Sequence, residues 1–369
     1  MALYPGTENE LRVPQRLLHD AVVAIFASCG MSDRDASTVA GSLVEADLRG
    51  IHSHGVLRVP DYVGKLRHEG VNPTGQPRIA KQFGSLAVID CGNNLGQIGM
   101  MFAAEWCIGK AKNEGIAFAA VSNSNHAGTM EYFARRALVE DMIGMCGTNA
   151  LPTMAPWGGK DKLVGINPLG IAIPGGSEGD FVLDIAFGET AHGKIRVFAQ
   201  KGEPIPETWA YDADGNETTD AVAALDGLIR PIGGHKGVGM GMAIGMLSAL
   251  TSGSGYGTET GNMVDGPFPG RDSQFFMAMN VAELQDIDEV RGRSDLVLRQ
   301  IKESGRAAGT EQLFVPGEIE SALEAQFKSE GIPLNDETIN DLLTAATSVG
   351  ANVKPLADLA ALRTHGSNN

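Results

Sequence analysis

The chain has 369 residues, with 29 Lys and Arg against 45 Asp and Glu, and its net charge at pH 7 is −16. This acidic balance argues against a nucleic-acid partner and against binding to an anionic membrane surface, although a few local cations can still hold a small anionic ligand. No uncharged apolar stretch reaches the roughly 18 residues that a membrane span requires.

The four cysteines, Cys29, Cys91, Cys107 and Cys146, lie in apolar runs without paired spacing. We therefore expect reduced cysteines in a reducing compartment. The first six residues lack the cationic head and apolar run of a signal peptide, so we expect a cytoplasmic protein.

Three amphipathic helices are predicted in the N-terminal part of the chain. The first covers residues 14–29, where apolar residues recur with a period of 3.6. Ser32 and Asp35 form a capping-box pattern at the start of the second helix, and Gly50 can end it. The third helix follows, with Pro60 in its first turn.

Five short apolar runs in the middle of the chain predict β-strands, because each is bounded by Gly, Pro, Asn or Asp. They cover residues 85–91, 116–121, 143–147, 169–174 and 181–186. Amphipathic stretches near 97–112 and 129–139 lie between some of them, which favours α/β layering. Residues 200–236 are polar and rich in turn residues, so they predict a long irregular loop.

The remaining third continues this mixed pattern. Residues 238–250 predict a helix despite their glycines, and residues 252–272 form a glycine-rich stretch. A buried strand is predicted over residues 275–281. From about residue 316 the chain is mostly helical in pattern.

Ser53, His54, Arg58 and Tyr62 form the first set that could carry chemistry. Arg58 and Tyr62 lie one helical turn apart, and the preceding loop can bring His54 over the same face. The set offers an acid/base group with a pKa near neutrality, a fork that binds carboxylates and an aromatic hydroxyl. Spacing alone equally allows a helix cap and a surface ion pair. His52 and His54 lack a third metal ligand at recognisable spacing, so no metal site is predicted.

Two further segments are typical of anion-binding junctions. Residues 122–129 follow a predicted strand and open a predicted helix, where backbone N–H groups can bind a phosphate, and His126 lies at the mouth. Residues 233–237 place Lys236 and several glycines before another predicted helix. An ordinary polar turn and glycines that only permit close packing are the alternative interpretations.

The sequence supports neither a Rossmann dinucleotide-binding motif nor the nucleophile elbow of a serine hydrolase. The Rossmann fingerprint G-x-G-x-x-G is absent from the sequence. Residues 175–179 match G-x-S-x-G, but they lie between two predicted strands, whereas a nucleophile elbow needs a strand-to-helix turn. This segment therefore predicts a hairpin loop.

An ordered set of motifs spans residues 14–320. Its segments are 46–50, 53–58, 124–128, 155–159, 165–174, 182–186, 193–194, 206–210, 218–220, 233–237 and 315–318. In this order they resemble the malate/L-lactate dehydrogenase family of the non-Rossmann type. That family also contains ureidoglycolate and sulfolactate dehydrogenases, diketogulonate reductases and cyclic-imine carboxylate reductases.

The resemblance implies an α/β fold that binds NAD or NADP without a Rossmann motif and has helical N- and C-terminal segments. We predict an N-terminal helical substrate and dimerisation segment (1–84), an NAD(P)-binding α/β domain (85–284) and a C-terminal helical segment (285–369) that packs with the first. The resemblance further implies a homodimer whose active site lies near the subunit interface.

The same likeness assigns roles to single residues. His54 would donate a proton to the substrate, with Ser53 and Asp184 orienting it. Arg58 would bind the substrate carboxylate, and Tyr62 would contact the substrate.

His126 matches a position that acts as the acid/base in the ureidoglycolate branch and lies beside the nicotinamide elsewhere. The residues that match cofactor-binding stretches are His126, Ala127, Gly128, Thr129, Met130, Asp184, Ile185, Ala186, His235, Lys236, Pro316, Gly317 and Glu318. Ile166 replaces a small polar residue that touches substrate in some members, and the stretch 252–272 is longer than usual. Both departures leave the identity of the substrate open.

The leading hypothesis is an NAD(P)-dependent 2-hydroxy-acid dehydrogenase that acts on a small carboxylate such as malate or lactate. Reduction of a keto acid needs a hydride, a proton and a carboxylate clamp, which the nicotinamide, His54 and Arg58 would supply. A reductase of a cyclic imine 2-carboxylate would use the same groups. A noncatalytic nucleotide-binding homologue is a third possibility, against which the presence of His54, Arg58, His126 and Asp184 argues.

Overall fold

The computed structural model describes residues 10–263 and 269–366, so the N-terminal residues and part of the glycine-rich stretch lie outside the described residues. Within these ranges the helices are α1 (Gln15–Ser28), α2 (Asp33–Leu48), α3 (Val59–Arg67), α4 (Gly96–Glu114), α5 (Glu131–Ala134), α6 (His192–Lys201), α7 (Ala221–Asp226), α8 (His235–Ser252), α9 (Ile287–Lys302), α10 (Glu318–Glu330), α11 (Asp336–Val349) and α12 (Lys354–Gly366). The strands are β1 (Leu11–Val13), β2 (Arg78–Phe83), β3 (Leu86–Asp90), β4 (Ile116–Ser124), β5 (Met142–Thr148), β6 (Pro152–Met154), β7 (Val164–Gly165), β8 (Leu169–Ile173), β9 (Phe181–Ile185), β10 (Ala210–Tyr211), β11 (Glu217–Thr218), β12 (Leu228–Ile229), β13 (Asp272–Asn280) and β14 (Ile332–Leu334).

The three predicted N-terminal helices are present as α1, α2 and α3. Ser32 caps α2, since its hydroxyl accepts the backbone N–H of Asp35 at 3.1 Å. Gly50 follows α2 with φ = 75°, a left-handed conformation that favours glycine. The local signals for these helix ends are confirmed.

A seven-stranded mixed sheet forms the centre, in the order β2-β3-β4-β13-β5-β8-β9. The pair β3–β4 is parallel and the other neighbours are antiparallel. Successive residues of β13 point to opposite faces, so Phe276 packs in the core beneath α4 and Phe275 packs with Ile244 of α8. Helices therefore cover both faces, which confirms the predicted α/β layering.

A separate hydrophobic core joins the two ends of the described chain. β1 pairs with β14, and Leu11 lies opposite Leu334. Phe26 of α1, Leu43 of α2 and Leu342 of α11 are buried in the same cluster. Ser53, His54 and Arg58 follow α2 in two short turns. The second of these turns, and α3 after it, pack against α11. The division into three segments stays a prediction.

The segment 174–180 connects β8 and β9 as an antiparallel hairpin, as the sequence predicts. The carboxylate of Asp295 on α9 accepts the backbone N–H groups of Gly176 at 3.0 Å, Ser177 at 2.8 Å and Glu178 at 3.0 Å. The G-x-S-x-G match is therefore a structural loop that anchors α9, which lies in the predicted C-terminal helical segment.

The expectation of an irregular loop over residues 200–236 is wrong. The structure places the three-stranded sheet β11-β10-β12 and helix α7 there. Strands of two residues carry no periodicity, so the polar turn residues dominate the sequence pattern. The segment 129–139 is helical only in part, because α5 passes directly into a 3-10 turn at Arg135–Glu140. No helix within the described ranges is long and apolar enough to cross a bilayer.

Candidate active site

The segment after α2 is held by one buried carboxylate. Asp47 is 1% exposed, and its two oxygens contact the backbone N–H of Val56 and Nδ1 of His52, each at 2.7 Å. Gly55 is required beside it, because a Cβ atom there would lie 2.1–2.3 Å from the Asp47 carboxylate. These contacts fix the two 3-10 turns at His52–His54 and Val56–Arg58, and so determine where the side chain of His54 lies.

The predicted set converges with His126. Ser53 Oγ lies 3.0 Å from Nδ1 of His54, and the rings of His54 and His126 stack with centroids 5.7 Å apart. The hydroxyl of Tyr62 lies 2.7 Å from Nδ1 of His126, and Nε of Arg58 donates to the Ser53 carbonyl at 2.8 Å. Two histidines, a guanidinium and two hydroxyls therefore meet at one place, although His126 is distant in sequence.

Tyr62 is held between two other side chains, and its predicted contact with the substrate stays a prediction. Its side chain is 1% exposed, and its hydroxyl is engaged by His126 and by Nε2 of Gln97 at 3.1 Å. In this structure the hydroxyl therefore contacts two protein groups. Gln97 is a functional candidate that sequence reasoning missed, because its side chain reaches Tyr62 only through the packing of α4 against α3.

The surroundings of both histidines lower the pKa of each ring from its ordinary value, which differs from the expectation of a pKa near neutrality. Burial, assisted by the cation of Arg58, lowers the pKa of His54 to about 4. Burial, His54 and Arg58 lower the pKa of His126 well below its usual value. An anion bound against Arg58 would offset the field of that cation and raise the pKa of His54.

Asp184 belongs to β9, and its carboxylate lies at the start of α5. Its Oδ2 accepts the backbone N–H groups of Met130 at 2.8 Å and Glu131 at 3.0 Å. Burial raises the pKa of this carboxyl to about 7. Within the described part of the chain, no hydrogen bond joins Asp184 to His54 or Ser53, so the structure gives no direct relay between them. In the structure, Asp184 binds the backbone at the end of the predicted cofactor stretch 126–130.

A buried guanidinium, Arg49, was missed as a site-organising residue. It is 1% exposed and is bonded twice by the Glu131 carboxylate, and its Nη1 donates to Glu324 of α10 at 2.8 Å. A buried charge is tolerated only when it is fully paired. This cluster ties α2, α5 and α10 together around the site.

The residues that match cofactor-binding stretches lie along a chain of contacts around β9. Asp184 binds Met130, while the Val182 N–H donates to the Pro316 carbonyl at 3.1 Å. At the end of the strand, the Ile232 N–H donates to the Phe187 carbonyl at 3.0 Å, just before α8 begins. The stretches 126–130 and 316–318 thus contact β9 directly, and the segment that leads into α8 contacts Phe187, just after the end of β9.

The start of α8 suits a phosphate. Gly234, with φ = 63°, is its N-cap and provides no side-chain cap, so the first N–H groups of the helix lack an intrahelical or capping acceptor. His235 and Lys236 are exposed at the same end. These features fit the pyrophosphate of a dinucleotide. Among the described residues there is no group of three or more His, Cys, Asp and Glu that could hold a metal ion.

The family model described as malate/L-lactate dehydrogenase matches residues 13–343. The chain belongs to the malate/L-lactate dehydrogenase family. Its relatives include the L-sulfolactate dehydrogenase of Methanocaldococcus jannaschii, which is 37% identical over 96% of this chain and 99% of that protein. The malate dehydrogenase of Pyrococcus horikoshii is 34% identical over 93% of this chain and 97% of that protein.

Solved structures of this family agree with the fold. The sulfolactate dehydrogenase structure from M. jannaschii has a TM-score of 0.87, covering 94% of this chain and 99% of its own. The malate dehydrogenase structure from P. horikoshii has a TM-score of 0.86, with coverages of 94% and 97%. A Pseudomonas putida protein, Δ1-pyrroline-2-carboxylate/Δ1-piperideine-2-carboxylate reductase, is 32% identical over 69% of this chain and 75% of its own length.

Membership confirms the predicted fold class and the enzyme class. This family member is an NAD(P)-dependent oxidoreductase of 2-hydroxy acids. The roles of single residues stay predictions.

The Asp47–Gly55 contact gives a direct test of how His54 is positioned. We expect Gly55→Ala to push the 52–56 segment away from Asp47 and to lower kcat about 100-fold, the usual cost of a displacement of about 1 Å at a catalytic group. Gly64→Ala on α3 is the control, because a Cβ there has no neighbour within 4 Å. Steady-state kinetics give kcat for both variants. Equal kcat values for the two would contradict the role of the Asp47–Gly55 contact.

Proposed function

We propose that this enzyme interconverts a small 2-hydroxy acid and its 2-keto acid, with four-carbon and sulfonated acids such as malate and sulfolactate as the first candidates. The observation that carries the proposal is the approach of His54, Arg58 and His126 at one site. The names of the relatives support the choice of acids. Purified enzyme assayed with each acid and with NAD and NADP separately tests it through nicotinamide absorbance.

Arg58 serves as the carboxylate clamp in this proposal. Its guanidinium is oriented by two contacts, with the Ser53 carbonyl at 2.8 Å through Nε and with Asp61 at 3.2 Å through Nη1. An oriented guanidinium can bind a carboxylate through two parallel hydrogen bonds, which also sets the angle of the substrate. The other polar groups of the site then surround the carbon that reacts.

His54 serves as the proton donor in reduction and as the base in oxidation. Since Nδ1 faces Ser53, Nε2 is the atom left for the substrate oxygen. A substrate carboxylate beside Arg58 raises the pKa of His54, so binding itself prepares the imidazole to hold a proton. When bound, the nicotinamide supplies or accepts the hydride. Residues 126–130, 184–186, 235–236 and 316–318 would hold it.

A cyclic imine 2-carboxylate is the second candidate substrate, favoured by the likeness to the P. putida reductase. The same clamp and donor would serve, with the imine nitrogen taking the proton from His54. Turnover of a cyclic imine together with failure of every keto acid would select this alternative.

We also propose a homodimer, whose interface includes the outer face of α8. That face carries exposed apolar side chains, namely those of Met240, Met242, Met246 and Leu250. Apolar surface of this extent on one helix is typical of a surface covered by another chain. Because the proposed phosphate site is the N-terminus of the same helix, the cofactor would lie near the second subunit.

The clamp hypothesis predicts the effect of Arg58→Lys. The ammonium keeps the charge but loses the two-pronged geometry, so KM for the acid should rise strongly while cofactor affinity barely changes. Arg67→Lys, on the last turn of α3, is the matched control. A KM within about a factor of two of the wild-type value would show that Arg58 is not the clamp.

The donor hypothesis predicts the pH dependence. The free enzyme needs protonated His54 for reduction, so kcat/KM for the keto acid should fall about tenfold per pH unit above the pKa of about 4. The corresponding limb in kcat should lie at higher pH, because the bound carboxylate raises that pKa. His54→Gln should lower kcat by about 10²–10⁴ and remove the limb, whereas His126→Gln should keep it. The reverse pattern would make His126 the donor.

The dimer hypothesis predicts that a charge on α8 separates the subunits. Met246→Glu should give particles of 38.8 kDa by light scattering, whereas the wild-type enzyme should have twice that mass. Val139→Glu, also at an exposed apolar side chain, should leave the dimer intact. A wild-type monomer with full activity would refute both the dimer and the shared site.

A further inference from the structure

Gln97 begins a chain of three side chains that ends at His126. It lies in the first turn of α4 and is 0% exposed. Its Nε2 is 3.1 Å from the hydroxyl of Tyr62, and that hydroxyl is 2.7 Å from Nδ1 of His126. Three elements, α4, α3 and the segment after β4, therefore meet through two consecutive hydrogen bonds.

The direction of these hydrogen bonds follows from Gly128. Its backbone N–H donates to Nδ1 of His126 at 3.3 Å, and an N–H can only donate, so Nδ1 is an acceptor without a proton. Tyr62 must then donate its O–H to Nδ1, and the Tyr62 oxygen accepts from Gln97. A histidine ring whose Nδ1 carries no proton is a neutral imidazole, so its single ring proton is on Nε2.

The carbonyl oxygen of the Gln97 side chain has no corresponding hydrogen bond. Its Oε1 is buried and has no hydrogen-bond partner within the described residues. A buried carbonyl without a partner destabilises the folded state. The amide is therefore poorly explained by stability, and its one visible interaction is the donation to Tyr62.

We propose that Gln97 is a positioning residue, which acts through Tyr62 to hold the His126 ring with Nδ1 as acceptor and Nε2–H free for the site beside His54. The proposal rests on the oxidoreductase function proposed above. A neutral imidazole held in this way can donate a hydrogen bond to the oxygen of the reacting carbon, where negative charge develops during reduction. Gln97 itself touches no reacting atom.

Nitrogen NMR of the histidine rings tests the proposal on the full-length protein at neutral pH. In the wild type we expect the His126 signals, assigned by their loss in His126→Gln, to show an unprotonated, hydrogen-bonded Nδ1 and a protonated Nε2. In Gln97→Leu the Nδ1 signal should move, because Tyr62 loses the donor that polarises its hydroxyl. A protonated Nδ1 in the wild type, or an unmoved signal in Gln97→Leu, would overturn the proposal.

Gln274→Leu is the matched control. Gln274 is also 0% exposed and has an Oε1 without a partner in the described structure. Its amide donates to the backbone carbonyl of Asn125 at 3.1 Å, so its loss tests whether disturbing the backbone beside His126, without touching Tyr62, is enough to move the signal. Its replacement should leave the His126 Nδ1 signal in place, and an equal shift in both variants would contradict a specific effect. If Gln97→Leu does not fold, Gln97→Met takes its place, because methionine also lacks the N–H donor and its flexible side chain can adapt to the buried site.

Kinetics supply a second readout. Gln97→Leu should lower kcat about tenfold, the rate equivalent of one hydrogen bond, with KM and cofactor affinity nearly unchanged. The variant with both Gln97→Leu and Tyr62→Phe should be no slower than the slower single variant, since both act along one chain. Additive losses or an unchanged kcat would reject the proposal. The NMR result needs no turnover, so failure of the proposed function would be recognised separately.

Discussion

The buried guanidinium of Arg49 is the constraint on which the arrangement of the site depends. It carries the end of α2, and it is paired with Glu131 at the start of α5 and with Glu324 on α10. Those three elements lead to His54, to His126 and to the predicted cofactor stretch at 316–318. Removing one partner of a buried pair costs about 3–5 kcal/mol, because the other charge is left without compensation. The site is therefore assembled by a charge that itself takes no part in the proposed chemistry.

The second feature of the site is that its surroundings disfavour the protonated form of both histidines. Burial and the Arg58 cation keep the pKa of His54 at about 4 in the free enzyme. In the proposed function, a substrate carboxylate bound to Arg58 would raise that pKa, so the contact that binds the acid would also favour the protonated donor. This coupling would limit protonation of the site when it holds no acid, and it would give the carboxylate a part in the reaction as well as in binding.

The sequence predicted the features that are local, and missed those that depend on packing. The helix ends at Ser32 and Gly50 and six of the seven strands of the central sheet follow from short spacings, whereas the exposed strand β2 was not predicted. The contact of Tyr62 with His126 joins residues 64 positions apart, and Gln97 reaches it from a third element. No periodicity encodes such contacts. The strand–loop–helix junction singled out His126, and the likeness to a family gave it a role, but neither predicted its contact with Tyr62. The placement of Asp184 against the α5 backbone likewise depends on how β9 and α5 pack, which spacing cannot give.

The most direct test of the central claim follows the hydride itself. The enzyme would be incubated with nicotinamide cofactor deuterated at the transferable position and with a panel of 2-keto acids, and the products analysed by NMR. The account predicts one deuterium at C2 of a 2-hydroxy acid, and loss of this product in His54→Gln. Absence of labelled product with both cofactors and every acid, or deuterium at a carbon other than C2, would contradict it.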